Sequence, residues 1–333
     1  MTMSDYQDDL ELEDSEGVQE KPDLKTTLRT LESNVDGSLN ATIFYGLSGL
    51  TTEDLLHFGE VWTGLPDAYR AKLLHQLVDV SETNFELDYR ALGFYALRDD
   101  FPEARMAAID LLWEDESLEL MDRLIEMAQW DESTDVRAQA ASALGRFILL
   151  GELGDLPETE TIRAQDAVVN LLTNPDEDVD VRRRSLEAIA NCSHEIVPEA
   201  IEDAYNSDDS AMQASAIFAM GKSCDERWGD TVLRAFESGD PALQYEAARA
   251  SGELELDEAI PILARFAMGH DREVKEVSIW SLGEIGGGAV LKILGLLAET
   301  AEEAGDDELM DAIEEAMSSA SIAGSDLDFD FDD

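Results

Sequence analysis

Near the C-terminal end, segments 212–221, 243–252 and 274–283 repeat one pattern at an interval of 31 residues, which leaves few folds open. Each segment ends in Gly (221, 252, 283), and an Asp lies three residues ahead of each opening apolar residue (Asp209, Asp240, Asp271). A fixed period of this length marks stacked helical hairpins, none of which can bury its apolar face without its neighbours. Upstream the pattern decays but persists: Val136-Arg137 leads to Ala143-Leu144-Gly145, Val181-Arg182 to Ala188-Ile189-Ala190, and Ala104-Arg105 to Leu111-Leu112-Trp113. Equivalent positions 113, 145, 190, 221, 252 and 283 are spaced by 32, 45, 31, 31 and 31 residues, so 14 residues are inserted between 145 and 190. The turn-rich stretch 151–158 predicts a loop inserted at 151–160.

Within each repeat, counted from its opening apolar residue, positions 1, 5, 8, 9 and 12 form one helical stripe. Small residues at 5 and 8 and Gly at 10 allow neighbouring helices to approach, and the preceding Asp is a natural N-cap. The predicted inner helices cover 67–81, 102–114, 134–149, 178–191, 209–222, 240–253 and 271–285. Predicted outer helices cover 51–63, 85–98, 118–130, 161–173, 195–206, 226–237, 257–268 and 288–303. The fold class that follows is all-α, a right-handed α-α superhelix of about seven or eight hairpins. Its expected divisions are an acidic disordered segment 1–21, a divergent helical region 22–99, the repeat solenoid 100–303, a capping helix within 304–320 and an acidic disordered tail 321–333.

The string Asp-x-x-Val-Arg-x-x-Ala-x-x-Ala-Leu-Gly, read in 240–252 and 136–145, resembles the short HEAT repeat of the kind also found in phycobilisome-lyase-type proteins. The resemblance covers residues 100–300 well and 51–99 loosely. It implies an interaction scaffold first, and a bilin-lyase-like or other protein-modification factor second. In such stacks the Arg at position 2 (Arg105, Arg137, Arg182) pairs with an acid of a neighbouring turn. The family also includes a metal-dependent hydroxylase built on repeated His-Glu pairs. This chain has one such pair, His194-Glu195, so no metal site is expected.

Charge narrows the functions further. The chain has 76 acids against 23 bases, a formal charge of −53. Residues 1–20 hold eight acids and 293–333 fourteen, with no base in either, so −31 remains on the body between them. Such a field repels phosphates and anionic lipid, so neither nucleic acid nor membrane is an expected partner. It suits solubility, a salt-rich cytoplasm, or a basic protein partner, as an acidic chaperone or mimic would have. Two cysteines make no disulfide framework, and no apolar stretch reads as a signal or membrane span, so a cytoplasmic location is expected. No phosphate-binding or nucleophile motif occurs, no cofactor is expected, and the three glycines 286–288 read as a hairpin turn.

A partner protein or peptide is therefore the expected ligand, and the concave inner face is where it should dock. Positions 3, 7 and 11 of the inner helices point there. They supply Phe218, Tyr245 and Trp280 with Arg249, Arg146, Arg183 and Lys222, the aromatic and cationic residues that binding hot spots use. A cluster of these cations would suit an acidic or phosphorylated peptide. The alternative is that Phe218 and Trp280 pack between repeats. In the tail, Leu327, Phe329 and Phe331 alternate with acids and form a candidate docking motif, one that could itself occupy the groove.

Overall fold

The computed structural model describes residues 21–33 and 40–323, and among them the chain is helical with no strand. It divides into two compact units, Met1–Leu112 and Trp113–Asp333. The candidate tail motif Leu327, Phe329 and Phe331 lies outside the described residues, as does nearly all of the expected segment 1–21.

The first unit holds α1 (Leu24–Ser33), α2 (Ala41–Leu47), α3 (Thr52–Trp62), α4 (Asp67–Thr83), α5 (Arg90–Ala96) and α6 (Pro102–Leu111). Thr51 opens α3 with a reciprocal capping box to Asp54. Phe58 of α3 meets Tyr95 of α5 edge to face, with ring centroids 5.6 Å apart. The polar centre of the unit is Asp99, which is buried. Its carboxylate accepts from Trp62 Nε1 at 2.5 Å, from Arg70 Nη2 at 2.8 Å and from the Phe101 amide at 2.9 Å. A buried carboxylate is tolerable only with such a complete donor set. The expected boundary at residue 99 therefore moves: the division falls after α6, because α6 packs on α4.

The second unit begins with α7 (Leu118–Trp130), α8 (Thr134–Leu153), α9 (Glu158–Thr173) and α10 (Val179–Ile189). It continues with α11 (Val197–Tyr205), α12 (Ser210–Lys222), α13 (Gly229–Ala235), α14 (Pro241–Glu253), α15 (Ile260–Ala267), α16 (Arg272–Ile285), α17 (Gly287–Ala304) and α18 (Asp307–Ala323). Inner helices α8, α10, α12, α14, α16 and α18 form a continuous row, and each outer helix packs on the inner helix that follows it. The Asp residues cap as the period requires. Asp209 accepts from the Met212 amide at 2.8 Å, Asp240 from Ala242 at 3.0 Å and Asp271 from Val274 at 3.1 Å.

The repeated glycine is explained by the next helix in the row. A Cβ at Gly221, Gly252 or Gly283 would stand 2.8, 2.8 and 2.9 Å from the Cα of Ala250, Ser281 and Ala316. Position 10 of one inner helix thus fits against position 8 of the next, backbone to backbone. The same register corrects the reading of the last helix. Ala316 occupies position 8 counted from Leu309, whose amide donates to Asp306 at 3.2 Å, so α18 is a further inner helix in register rather than a separate cap. It also runs to Ala323, so residues 321–323 belong to it and not to the expected tail.

The loop expected at 151–160 is also corrected. Helix α8 continues to Leu153 and α9 starts at Glu158, leaving four linking residues, 154–157. Gly151 is a packing residue inside α8, since a Cβ there would lie 2.2 Å from Thr161 Cγ2, while Gly154 (φ +84°) is the left-handed C-cap. The insertion is absorbed chiefly as added helix.

Position 2 has its own structural task. Arg105 and Arg137 donate to the carbonyls of Asp99 and Asp131, each six residues back in the turn before the helix, at 2.7 and 3.0 Å. Gln213 and Gln244 do the same to Ser207 and Ser238, at 2.8 and 2.7 Å. Arg182 reaches Leu172 O at 3.2 Å. The expected pairing with an acid of a neighbouring turn occurs at Arg137, whose Nη2 stands 2.8 Å from Glu177 Oε1. The shared role is the satisfaction of turn carbonyls, which an amide side chain serves as well as a guanidinium.

Candidate functional site

Helices α12, α14 and α16 line an open cleft of about 760 Å³, formed by Lys222, Tyr245, Arg249, Glu253, Glu273, Glu276, Val277 and Trp280. Except for Glu273 and Val277, these are position 3, 7 and 11 residues of consecutive inner helices. The sequence-derived set is thus partly assembled: Tyr245, Arg249, Trp280 and Lys222 share one cleft. Trp280 is 39 % exposed, a large apolar ring left open on an otherwise well-packed helix.

Phe218 stands differently. The Arg249 guanidinium carbon lies 4.0 Å from its ring centroid, so its face is already occupied by a cation. Arg249 Nε also reaches Glu253 Oε1 at 3.3 Å, and Lys222 Nζ reaches the same oxygen at 2.8 Å. Arg183 pairs with Asp180 at 2.6 Å and Glu187 at 3.6 Å. Arg146 donates to the Asp115 carbonyl at 2.8 Å and lies outside the cleft, as Arg183 does.

These pairings correct the expectation of a basic groove suited to an acidic peptide. The four cations are distributed along the row and each has an acceptor close by. In the cleft itself two cations face three carboxylates, Glu253, Glu273 and Glu276. Periodicity placed the residues on one face, but it could not show which acids from neighbouring turns would reach them.

Sequence reasoning also missed Glu246, at position 4 of α14. Burial pushes its carboxyl up to about 7, an effect the Arg249 guanidinium 3.9 Å away offsets only in part and the charges of Glu187 and Glu253 reinforce. Glu187 itself is held by Arg184 at 2.6 Å and by the Ser215 hydroxyl. The signal was available in the sequence as a Glu where the preceding and following repeats carry Ser215 and Val277.

Elsewhere, Asp178 caps α10 by accepting from the Asp180 amide at 2.9 Å, and His194 Nδ1 accepts from the Ile196 amide at 3.2 Å. Cys192 is buried and Cys224 exposed, both as free thiols. Gly286 and Gly287, with φ of 72° and 88°, make the turn from α16 to α17. No helix among the described residues is long and apolar enough to cross a membrane.

Comparison with curated proteins finds no match. Among solved structures, YibA from E. coli is similar over 89% of this chain and 96% of its own, at 15% identity and a TM-score of 0.42. A chain from the complex of Kap95p with RanGDP is similar over 91% of this chain and 46% of its own, at 12% identity and a TM-score of 0.43. Human deoxyhypusine hydroxylase, solved with glycerol, is similar over 76% of this chain and 98% of its own, at 16% identity and a TM-score of 0.31. None of these likenesses bears on what this chain binds. The family model described as HEAT repeats matches residues 197–283, the stretch from α11 into α16 that builds the cleft.

Proposed function

We propose that the chain is a non-catalytic scaffold whose inner-helix face docks another protein, with the cleft of α12, α14 and α16 as the contact point. The observation that carries this reading is the exposure of Trp280 beside Tyr245 in a cleft built from three successive repeats. Partly exposed aromatics in a concave site bring large contact area at low ordering cost, the usual chemistry of an interaction hot spot. The cleft is also broad and walled by fixed helices, which suits a folded or extended segment of protein.

Affinity capture with three baits tests the reading: wild type, Tyr245→Ala/Trp280→Ala, and Trp130→Ala on α7, where the ring is 77 % exposed outside the cleft. Circular dichroism checks that each bait is folded. The expected result is a partner held by wild type and by Trp130→Ala and lost from the double variant. Identical captured sets from all three baits would remove the cleft as the docking site.

A further inference from the structure

We infer that the cleft takes a basic protein segment, with an arginine or lysine side chain seated over Trp280 and against Glu273. This rests on the interaction reading above and specifies the chemistry of the partner.

The fold already shows what this face does with a guanidinium. Position 7 reads Phe218, Arg249 and Trp280 along α12, α14 and α16. At the first step, Arg249 lies over Phe218 at 4.0 Å while Glu253, one turn further along its own helix, accepts from its Nε. Aromatic face, cation and carboxylate form one unit, each component answering the charge distribution of the next. One inner helix further along, an aromatic ring and a carboxylate again line the cleft, here with no cation between them among the described residues. Trp280 is 39 % exposed, Tyr245 sits beside it in the cleft, and among the described residues neither ring has a cation over its face. Glu273, one turn before Val277 on α16, is exposed and among the described residues has no ion-pair partner.

Charge complementarity selects the sign of the occupant. Lys222 and Arg249 share Glu253, and Glu276 is engaged by Arg272, which also reaches Asp306 at 2.8 Å and Glu308 at 3.4 Å. The cleft lining thus holds two cations, Lys222 and Arg249, against three carboxylates, Glu253, Glu273 and Glu276. The surplus in the lining is negative, and Trp280 lies in the same cleft. An acidic or phosphorylated segment would meet repulsion from Glu273 and from the −53 field of the whole chain, whereas a basic segment gains from both. The same sign opposes occupation by the chain's own acidic tail.

Fluorescence anisotropy with three labelled peptides tests the proposal: alternating Arg-Ala, alternating Glu-Ala, and alternating Phe-Ser as a neutral apolar probe. The proteins are full-length wild type, Trp280→Leu, Glu273→Lys, and Glu302→Lys, a charge reversal on the exposed side of α17. Circular dichroism again confirms folding. The expected result is binding of Arg-Ala, weakened about tenfold by Trp280→Leu and by Glu273→Lys and no more than about twofold by Glu302→Lys. If Glu302→Lys weakens Arg-Ala as much as Glu273→Lys does, and Trp280→Leu has no effect, the attraction is the global field and the site is overturned. If Phe-Ser or Glu-Ala binds in a Trp280-dependent way and Arg-Ala does not, the cationic assignment fails while the docking cleft stands. If no peptide responds to Trp280→Leu, the cationic assignment fails, and the docking reading stands or falls separately on the capture experiment.

Discussion

Glu246 shows how a single side chain in this stack links packing to pH. Its carboxyl is held near 7 because burial disfavours the ionised form more than Arg249 can repay at 3.9 Å. The unfolded chain releases that proton near the ordinary carboxylate range, so between about pH 4.5 and 7 the folded state binds more protons than the unfolded one. The stability contributed by Glu246 therefore falls as pH rises through that window. Glu246→Gln removes the ionisation, and its stability advantage over wild type should grow by about 2 kcal/mol from pH 5.5 to pH 8.5. Urea unfolding at the two pH values measures this. An advantage that is the same at both would mean that Glu246 titrates normally. The neighbouring arginines set the contrast: Arg249 and Arg183 were legible as residues of the inner face, yet their partners were not, because Glu253 and Glu187 lie one turn further along the same helices and could equally have faced water.

At the scale of the helix, the row of inner members makes stability local. Position 10 of α8, α12, α14 and α16 meets position 8 of the next inner helix, so these helices depend on their immediate neighbours and little on distant ones. Helix α18 covers α16 and α17 with Leu309, Ile313, Ala316 and Ala320, all buried. A chain ending at Ala304 should expose amides of α16 and α17 to hydrogen exchange while α8 and α10 keep their protection. Uniform loss of protection across the row would show that the unit unfolds as one cooperative block instead. The sequence carried most of this architecture, since period, Asp caps and small residues all encode the same contact. Helix α7 falls on 118–130 as read from the pattern, and the others differ chiefly at their ends. It failed where one residue type serves two purposes. Gly151 and Gly154 look alike as turn formers, but the first makes room for Thr161 inside α8 and only the second ends the helix. It failed again at α18, whose interval from α16 is longer than 31 residues although its register against Gly283 is that of every other inner helix.

For the whole chain, the dominant long-range force is self-repulsion. With 76 acids and 23 bases, one acid neutralised by every base still leaves a net charge of −53. The basic residues are used accordingly: Arg272 serves Glu276, Asp306 and Glu308, and Arg163 serves Glu160 and Asp122. Exposed pairs of this kind contribute about 0–1 kcal/mol each, so screening them costs little. Screening the repulsion gains more, because it acts on every acidic pair within a Debye length, about 30 Å at 0.01 M salt and about 3 Å at 1 M. Folding brings these charges together, and salt should therefore stabilise the folded chain. The thermal midpoint is expected to rise steadily with NaCl across that range, the opposite of a protein held by surface ion pairs. A midpoint that falls as salt is added would mean that the ion pairs outweigh the repulsion, and that the excess charge is spread too far over the surface to strain the fold.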